Sequence, residues 1–510
     1  MRTPARALLA LVAALVASPA ARPAAAQGFR ITGTSVAEWV KLRPLAQDSI
    51  PQSAAGDTVA GSVGDLRLGP NGQIVRCLSG EAYCYFRRAT TPISGVPLTQ
   101  DLEGNAWGLA RGLRAYAHVR ARGSTGSAGD FWPQANDPLD VLAAYLELDR
   151  GALRARAGRQ WHTSGLGYYD FDGAALLWRA RRGLSLEGFA GWSLVRGLDE
   201  PQTSEEIAAL EPFVPDKRAY IFGAEGRWRP SGLFSASATY QRELRTDRAG
   251  LYSERASADA RGRLFGATLD GQLIYDVAEE QANEARLRLQ LPSFRRASLA
   301  LEARHHEPFF ELWTIWGAFS PVGFDEGRAL LSWSAPAAAG LQLSLGGARR
   351  RYDDPDAGFP GFLLKRDGWR FTTDAAWQPQ TSWSVQAGYS AEIGFGAARS
   401  DQSLSLRRLF GDVLSGGGGY AGLSLQAFQD AYEFRVAEGH VVGVGGETGF
   451  SLGGGTRIDG NLYYLRHLDR GPESPDWTQL RGSIRASWTI GREPGPRIPA
   501  PRTTPPGGDR

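Results

Sequence analysis

Alternation with a period of two dominates the C-terminal end of the chain. Between Leu480 and Ile490, the residues Leu480, Gly482, Ile484, Ala486, Trp488 and Ile490 fall on one face of an extended backbone, and Arg481, Ser483, Arg485, Ser487 and Thr489 on the other. A strand of a water-soluble sandwich is usually about half this length, whereas roughly 9–11 tilted residues are what a strand needs to cross a bilayer. The polar face carries two arginines and must meet water. If the apolar face meets lipid, the sheet has no open edge, because an unpaired backbone group in hydrocarbon costs several kcal/mol. The segment therefore predicts an all-β fold, a single antiparallel transmembrane β-barrel, with Leu480–Ile490 as its closing strand.

The same unit recurs along the chain as strand, short turn, strand, long loop. Ile31–Leu42 comes first, and Leu98–Leu109 and Leu113–Arg122 form the next hairpin, the second strand alternating Leu113, Ala115, Ala117, Val119 with Arg114, Tyr116, His118, Arg120. Further pairs are Leu139–Asp149 with Ala152–Gln160, Asp172–Ala180 with Leu184–Arg196, Ala219–Trp228 with Leu233–Arg242, and Ser253–Arg263 with Gly266–Val277. Asn283–Leu291 with Ala297–Arg304, Gly327–Ser334 with Leu341–Arg351, and Gly368–Trp377 with Trp383–Gly394 follow. Asp401–Leu409 with Tyr420–Gln429 and His440–Leu452 with Thr456–His467 complete the set, for about 22 strands in a range of 18–22. Short turns follow even strands and long loops follow odd ones, which predicts short periplasmic turns, long extracellular loops and periplasmic termini. Trp39, Trp107, Trp178, Trp228, Trp333, Trp377, Trp383 and Trp488 sit near strand ends, where interfacial girdles form. The competing interpretation, a water-soluble β protein, would need strands too long and too many for one sandwich.

Several stretches are expected to lie outside the wall. Arg43–Pro97 reads as one long irregular loop, Trp161–Phe171 as an aromatic, Gly-rich loop, and His305–Asp325 as a third loop dense in Phe and Trp. Residues 1–26 read as a secretory signal, with Arg2 and Arg6, an apolar run Ala7–Ala17 and Ala24-Ala25-Ala26 before Gln27. No later run is long and apolar enough for a transmembrane helix, so residues 27–490 are assigned to one barrel. Residues 491–510, rich in Pro, Gly and Arg, read as a disordered periplasmic tail. Cys77 and Cys84, the only cysteines, predict a disulfide in a chain routed to an oxidising compartment. A metal pair is the alternative, but no His lies nearby and zinc prefers four ligands.

With lipid outside, function falls to the lumen and loops. Pore-lining candidates on the polar faces are Arg114, His118, Arg120, Arg154, Arg156, Arg179, Arg286, Arg288, Glu302, Arg304, Arg370, Asp374, Arg481 and Arg485. Fixed positive charge in a confined pore draws small anions. The alternative role is bracing, in which arginine–carboxylate pairs tie neighbouring strands. An empty barrel of this size would be roughly 40 Å across, so something must narrow it, and the 43–97 loop is the expected constriction. The net charge of +3 and the arginine bias give no reason to expect a nucleic-acid partner. No cofactor is expected, since no phosphate-binding loop or dinucleotide fingerprint stands before a helix. No enzyme is expected either. His162-Thr163-Ser164-Gly165 and Ser403/Ser405 are the only fragments suggestive of hydrolysis, and His305-His306 beside Glu307 the only one suggestive of a metal.

Gly158-Arg159-Gln160-Trp161, continued by Gly165-Leu166-Gly167-Tyr168-Tyr169-Asp170-Phe171-Asp172-Gly173, resembles the "GRQ … G … DG" strand–loop–strand of porin-like and alginate-export-like barrels of the Gram-negative outer membrane. The resemblance implies passage of a solute or polymer without a bound cofactor. It also implies location in the bacterial outer membrane, with membrane lipid, the barrel-assembly machinery and small solutes as partners. Two departures stand out. Such barrels usually end on an aromatic residue, and TonB-dependent transporters of similar strand number carry a plug for which there is little room before Ile31. The leading expectation is passive diffusion of small hydrophilic solutes with a mild anion preference. A polysaccharide export conduit, a non-conducting surface barrel and an outer-membrane hydrolase are the alternatives.

Overall fold

The computed structural model describes residues 28–43, 45–58, 66–125, 138–194, 219–245, 251–307, 323–336, 340–353, 366–394, 397–411, 418–432, 439–469 and 476–492. The signal segment, most of the loops 197–218 and 305–325, and the tail beyond 492 lie outside the described residues. The strands are β1 (Gly28–Leu42), β2 (Leu45–Pro51), β3 (Leu66–Leu68), β4 (Ile74–Cys77), β5 (Tyr83–Ala89), β6 (Ile93–Ala110), β7 (Leu113–Thr125), β8 (Leu139–Arg150) and β9 (Leu153–Ser164). There follow β10 (Gly167–Arg179), β11 (Leu184–Ser193), β12 (Ala219–Ser231), β13 (Phe234–Arg245), β14 (Leu251–Leu264), β15 (Ala267–Asp276), β16 (Gln281–Gln290), β17 (Ala297–His306) and β18 (Phe324–Ser334). The last are β19 (Leu341–Tyr352), β20 (Asp367–Gln380), β21 (Trp383–Gly394), β22 (Ala397–Phe410), β23 (Gly419–Tyr432), β24 (Gly439–Gly453), β25 (Thr456–Asp469) and β26 (Trp477–Arg492).

Twenty-two of these form one antiparallel sheet in which sequence neighbours pair. The sheet closes because β1 pairs with β6 on one side and with β26 on the other, in a register running from Phe29 opposite Arg492 to Trp39 opposite Gly482. The all-β, closed-barrel expectation and the closing role of the last strand are met. Closure matters energetically, since it leaves no ladder edge for lipid to strand without partners. The short turns are held by glycines at positive φ. Gly183 has φ 75°, and a Cβ there would lie 1.9 Å from the carbonyl oxygen of Arg229, so this turn is pressed against the next hairpin, as are those at Gly112 and Gly340.

One face of the wall is apolar and exposed: Ile484 is 62% exposed, Leu345 60% and Leu462 51%. The other is polar and reaches inward. Arg350 on β19 contacts Glu392 on β21 at 2.8 Å, passing over β20. Side chains on the concave side of a cylinder converge, whereas those on the convex side diverge, so such a contact marks the polar face as interior. Aromatic residues band the outer face at both rims. Trp178, Trp228, Trp333, Trp377, Trp383 and Trp488 lie towards the short-turn rim, and Trp39, Trp192 and Trp369 towards the long-loop rim. Trp107, expected among them, is turned to the lumenal face, opposite Gly28 on one side and Arg114 on the other. Tyr220 to Trp228 on β12 and Trp369 to Trp377 on β20 each run from one rim to the other. That spacing is about 26 Å along a strand, or about 20 Å along the axis at a tilt near 40°, close to the apolar band such barrels present.

The 43–97 stretch differs from its expected irregularity. It folds into a four-stranded sheet in the order β2-β5-β4-β3, and the wall resumes at Ile93. Val75, Cys77 and Cys84 form its buried core, with Ile50, Ala55 and Phe86 against them. Cys77 and Cys84 are cross-strand partners joined by a disulfide, as the sequence led us to expect. Trp161–Phe171 differs as well. It is not a loop but the continuation of β9 and β10, leaving only Gly165 and Leu166 in the turn.

A candidate lumenal constriction

The β9–β10 hairpin leaves the wall partway along its length. β9 pairs with β8 only as far as Arg159, and β10 pairs with β11 only as far as Phe171, while the two strands remain paired with each other to Ser164 and Gly167. The departure point is a glycine pair, Gly158 directly opposite Gly173. Gly158 adopts φ 125°, and a Cβ on it would stand 2.2 Å from the carbonyl oxygen of Ala144; one on Gly173 would stand 2.1 Å from that of Ala190. Only glycine allows both the backbone angle and the close approach. Next to this hinge, the Arg159 guanidinium donates to both carboxylate oxygens of Asp172 at 2.8 and 2.9 Å and to the carbonyl of Val141 at 2.8 Å. Gln160 donates to the carbonyl of Gly173 at 3.0 Å. The Gly-Arg-Gln and Asp-Gly residues of the resemblance are thus the parts of a bend.

Beyond the bend the tip crosses the interior. Trp161 packs on Tyr116 of β7 and Tyr145 of β8, with ring centroids 5.6 and 6.1 Å apart. The opposite side of the hairpin faces β11 to β15. His162 stacks on Phe189 at 4.3 Å, Thr163 accepts a hydrogen bond from Arg227 at 3.4 Å, and Gly165 accepts one from Gln272 at 3.4 Å. Tyr169 bonds to Arg255, whose guanidinium lies 5.4 Å from the tyrosine ring centre. β11, β12 and β13 stand between this hairpin and β14. Contact with β14 therefore spans about 20 Å of wall, which only a path through the lumen can do. Phe171, Phe189 and Ile221 are buried beneath the hairpin, as are Gln160 and Gln241, so the apolar and polar sides of this anchor are both shielded from bulk water.

Most of the sequence-predicted lining residues are locked in pairs across neighbouring strands. Arg114 and Arg156 hold Glu147 at 2.6 and 2.7 Å, and Arg154 and Arg179 hold Asp149 at 3.1 and 3.0 Å. Arg120 and His118 share Asp101 at 2.8 and 3.2 Å, Arg304 holds Glu284 at 2.6 Å, and Arg370 shares Glu392 with Arg350. Asp374 accepts from Ser344 at 3.2 Å, and Glu302 stands opposite Arg288 and Arg328. Among the described residues, no ion pair holds Arg286, Arg288, Arg481 or Arg485. Arg286 feels Asp259 and Arg485 feels Asp459 only at longer range. A lumenal recess of about 430 Å³ beside the hairpin tip is lined by Arg227, Arg229, Arg261, Arg286, Asp259 and Asp270 among others.

In the fragments suggestive of hydrolysis or metal binding, the histidines and Ser164 have partners of another kind. Ser164 accepts a hydrogen bond from the Leu166 amide, and His162 is engaged by glutamates rather than by a serine. His305 and His306 point to opposite sides of β17, the first to Asp325 at 2.9 Å and the second to Glu284 at 3.0 Å. The sequence reading missed the inward hairpin, and the signal that was present is the glycine pair bracketing an eleven-position stretch too aromatic for a solvent loop.

A closed 22-strand antiparallel barrel with an apolar exterior, aromatic rims and a charged interior is the architecture of a porin-like bacterial outer-membrane protein. No family model matches the chain, and no curated protein does. Among solved structures, the chain is similar to Acinetobacter baumannii OccAB1 at 10% identity, covering 91% of this chain and 97% of that one with a TM-score of 0.38. It is similar to Pseudomonas aeruginosa OpdK with vanillate at 11% identity, 91% and 99% coverage and a TM-score of 0.36. It is also similar to the P pilus usher PapC translocation pore at 10% identity, 90% and 99% coverage and a TM-score of 0.36.

Proposed function

We propose that this protein is an outer-membrane channel through which small hydrophilic solutes diffuse, with the long-loop rim outside the cell and both termini in the periplasm. The observation that carries the reading is the β9–β10 hairpin, which folds across a polar lumen instead of extending the wall. A structural barrel has no use for a narrowed, charged interior, whereas a channel needs one to discriminate among solutes. The disulfide-linked insert between β1 and β6 is a second element available to narrow the mouth.

A mild anion preference follows from the ion pairs. Pairing offsets the charge of most lining arginines, and the preference rests on Arg286, Arg288, Arg481 and Arg485, set against lumenal carboxylates such as Glu302 and Asp374, which likewise have no paired arginine among the described residues. In planar bilayers the protein is expected to conduct ohmically, with a reversal potential in a KCl gradient displaced towards that of chloride. Excising Trp161–Asp170 raises single-channel conductance. A barrel that folds and inserts but passes no current would refute the channel reading, and cation selectivity would refute the preference alone.

A further inference from the structure

Glu187 on β11 and Glu225 on β12 are direct cross-strand partners facing the lumen. Two carboxylates so placed repel each other unless positive charge stands near them, and Arg227 supplies it on the Glu225 side. The hairpin delivers His162 to this pair: its Nε2 is 3.3 Å from Glu225 Oε2 and its Nδ1 is 3.9 Å from Glu187 Oε1. One ligand atom from each of the three residues lies within 4.8 Å of the others. His162 is 5% exposed and Glu225 4%, and His162 Nε2 makes no hydrogen bond despite its carboxylate neighbour. Stacking on Phe189 fixes the imidazole plane, and Arg227 grips both oxygens of Glu225, fixing the carboxylate.

From this geometry we infer that His162, Glu187 and Glu225 form a binding site for a divalent transition-metal ion of the zinc, nickel or copper class. One imidazole nitrogen and two carboxylate oxygens suit such ions better than calcium or magnesium, which favour all-oxygen shells. Metal–ligand bonds of about 2.0–2.2 Å place tetrahedral ligands roughly 3.4 Å apart. The His162–Glu225 edge is already 3.3 Å, and with all ligand atoms within 4.8 Å no edge needs to close by more than about 1.4 Å. Water completes the shell from the lumen. Because two ligands belong to the wall and one to the hairpin, the ion staples the constriction in place. An oriented buried carboxylate held by an arginine is the kind of outer support that ligands of such sites have.

The test is zinc binding to the full-length barrel refolded in detergent, measured by equilibrium dialysis with ZnCl₂, with folding checked by heat-modifiable gel mobility. The site predicts one zinc per chain, at least tenfold weaker binding in both His162→Ala and Glu187→Gln, and unchanged binding in a His305→Ala control. No binding to the wild type, or binding that survives both substitutions, overturns the site; the first outcome leaves His162 as a simple ionic clamp. Zinc uptake is read without current, so failure here and failure of the channel reading are separate results.

Discussion

Replacing Gly158 by alanine tests the hinge directly. A Cβ at this position would lie 2.2 Å from the carbonyl oxygen of Ala144, which is backbone and cannot rotate away. Real Cβ contacts do not fall below 3.0 Å, so the strand must give by at least 3.0 − 2.2 = 0.8 Å. The φ of 125° adds a backbone penalty on the order of 1–3 kcal/mol for any residue with a side chain. The least costly response is rotation of the hairpin about the hinge. A shift of that size over one residue, about 3.4 Å, is a rotation of roughly 14°, and the seven residues from Gly158 to Gly165 span about 23 Å. The tip then moves on the order of 5 Å. That is more than enough to separate Thr163 from Arg227 and Gly165 from Gln272, each now at 3.4 Å. The wall should survive, because β9 remains paired with β8 from Leu153 to Arg159. The expected result is a normally folded barrel with higher and noisier single-channel conductance, and Gly173→Ala should behave alike. Unchanged conductance in both folded variants would refute the claim that the glycine pair sets the constriction.

Other consequences are open to measurement. Arg159→Ala and Asp172→Ala should each destabilise the bend, with a coupling of about 1 kcal/mol in a double-mutant cycle read by urea unfolding, modest because both groups are partly exposed. Glu147→Ala releases Arg114 and Arg156 from their shared carboxylate, so the reversal potential in a KCl gradient should move further towards chloride; no movement would mean these arginines do not face the ion path. Cys77→Ser with Cys84→Ser should loosen the insert by about 2–3 kcal/mol on a chain-entropy argument, seen as faster proteolysis within 45–89, while the barrel's heat-modifiable mobility stays the same.

The wall was legible because each wall strand carries its own period-two pattern, and lipid on one side with water on the other keeps that pattern strict. Leu480–Ile490 lies within β26, and the expected hairpins fall within the observed strands to a few residues at their ends. The insert was not legible because β3 has three residues and β4 has four, too short for alternation to register. Its order comes from a disulfide and a small core around Val75. The hairpin tip was read as a loop for a different reason. Both of its faces meet lumenal side chains, Trp161 against tyrosines and His162 against Phe189 and two glutamates, so neither face is simply apolar or simply polar. The His162–Glu187–Glu225 cluster had no sequence signature, since its members come from three strands. The adjacent His305 and His306, which did have one, are sent to opposite sides by the strand itself.

Every functional statement depends on which face of the wall meets lipid, and β26 offers the most direct reading of it. The only cysteines are joined in the Cys77–Cys84 disulfide, so single cysteines at 483, 484, 485 and 488 can be labelled in the reconstituted barrel without background. Probes replacing Ile484 and Trp488 should be quenched by lipid-borne quenchers and shielded from water-soluble ones, and probes replacing Ser483 and Arg485 should show the reverse. Lipid quenching at 483 and 485 with aqueous quenching at 484 and 488 would contradict the account.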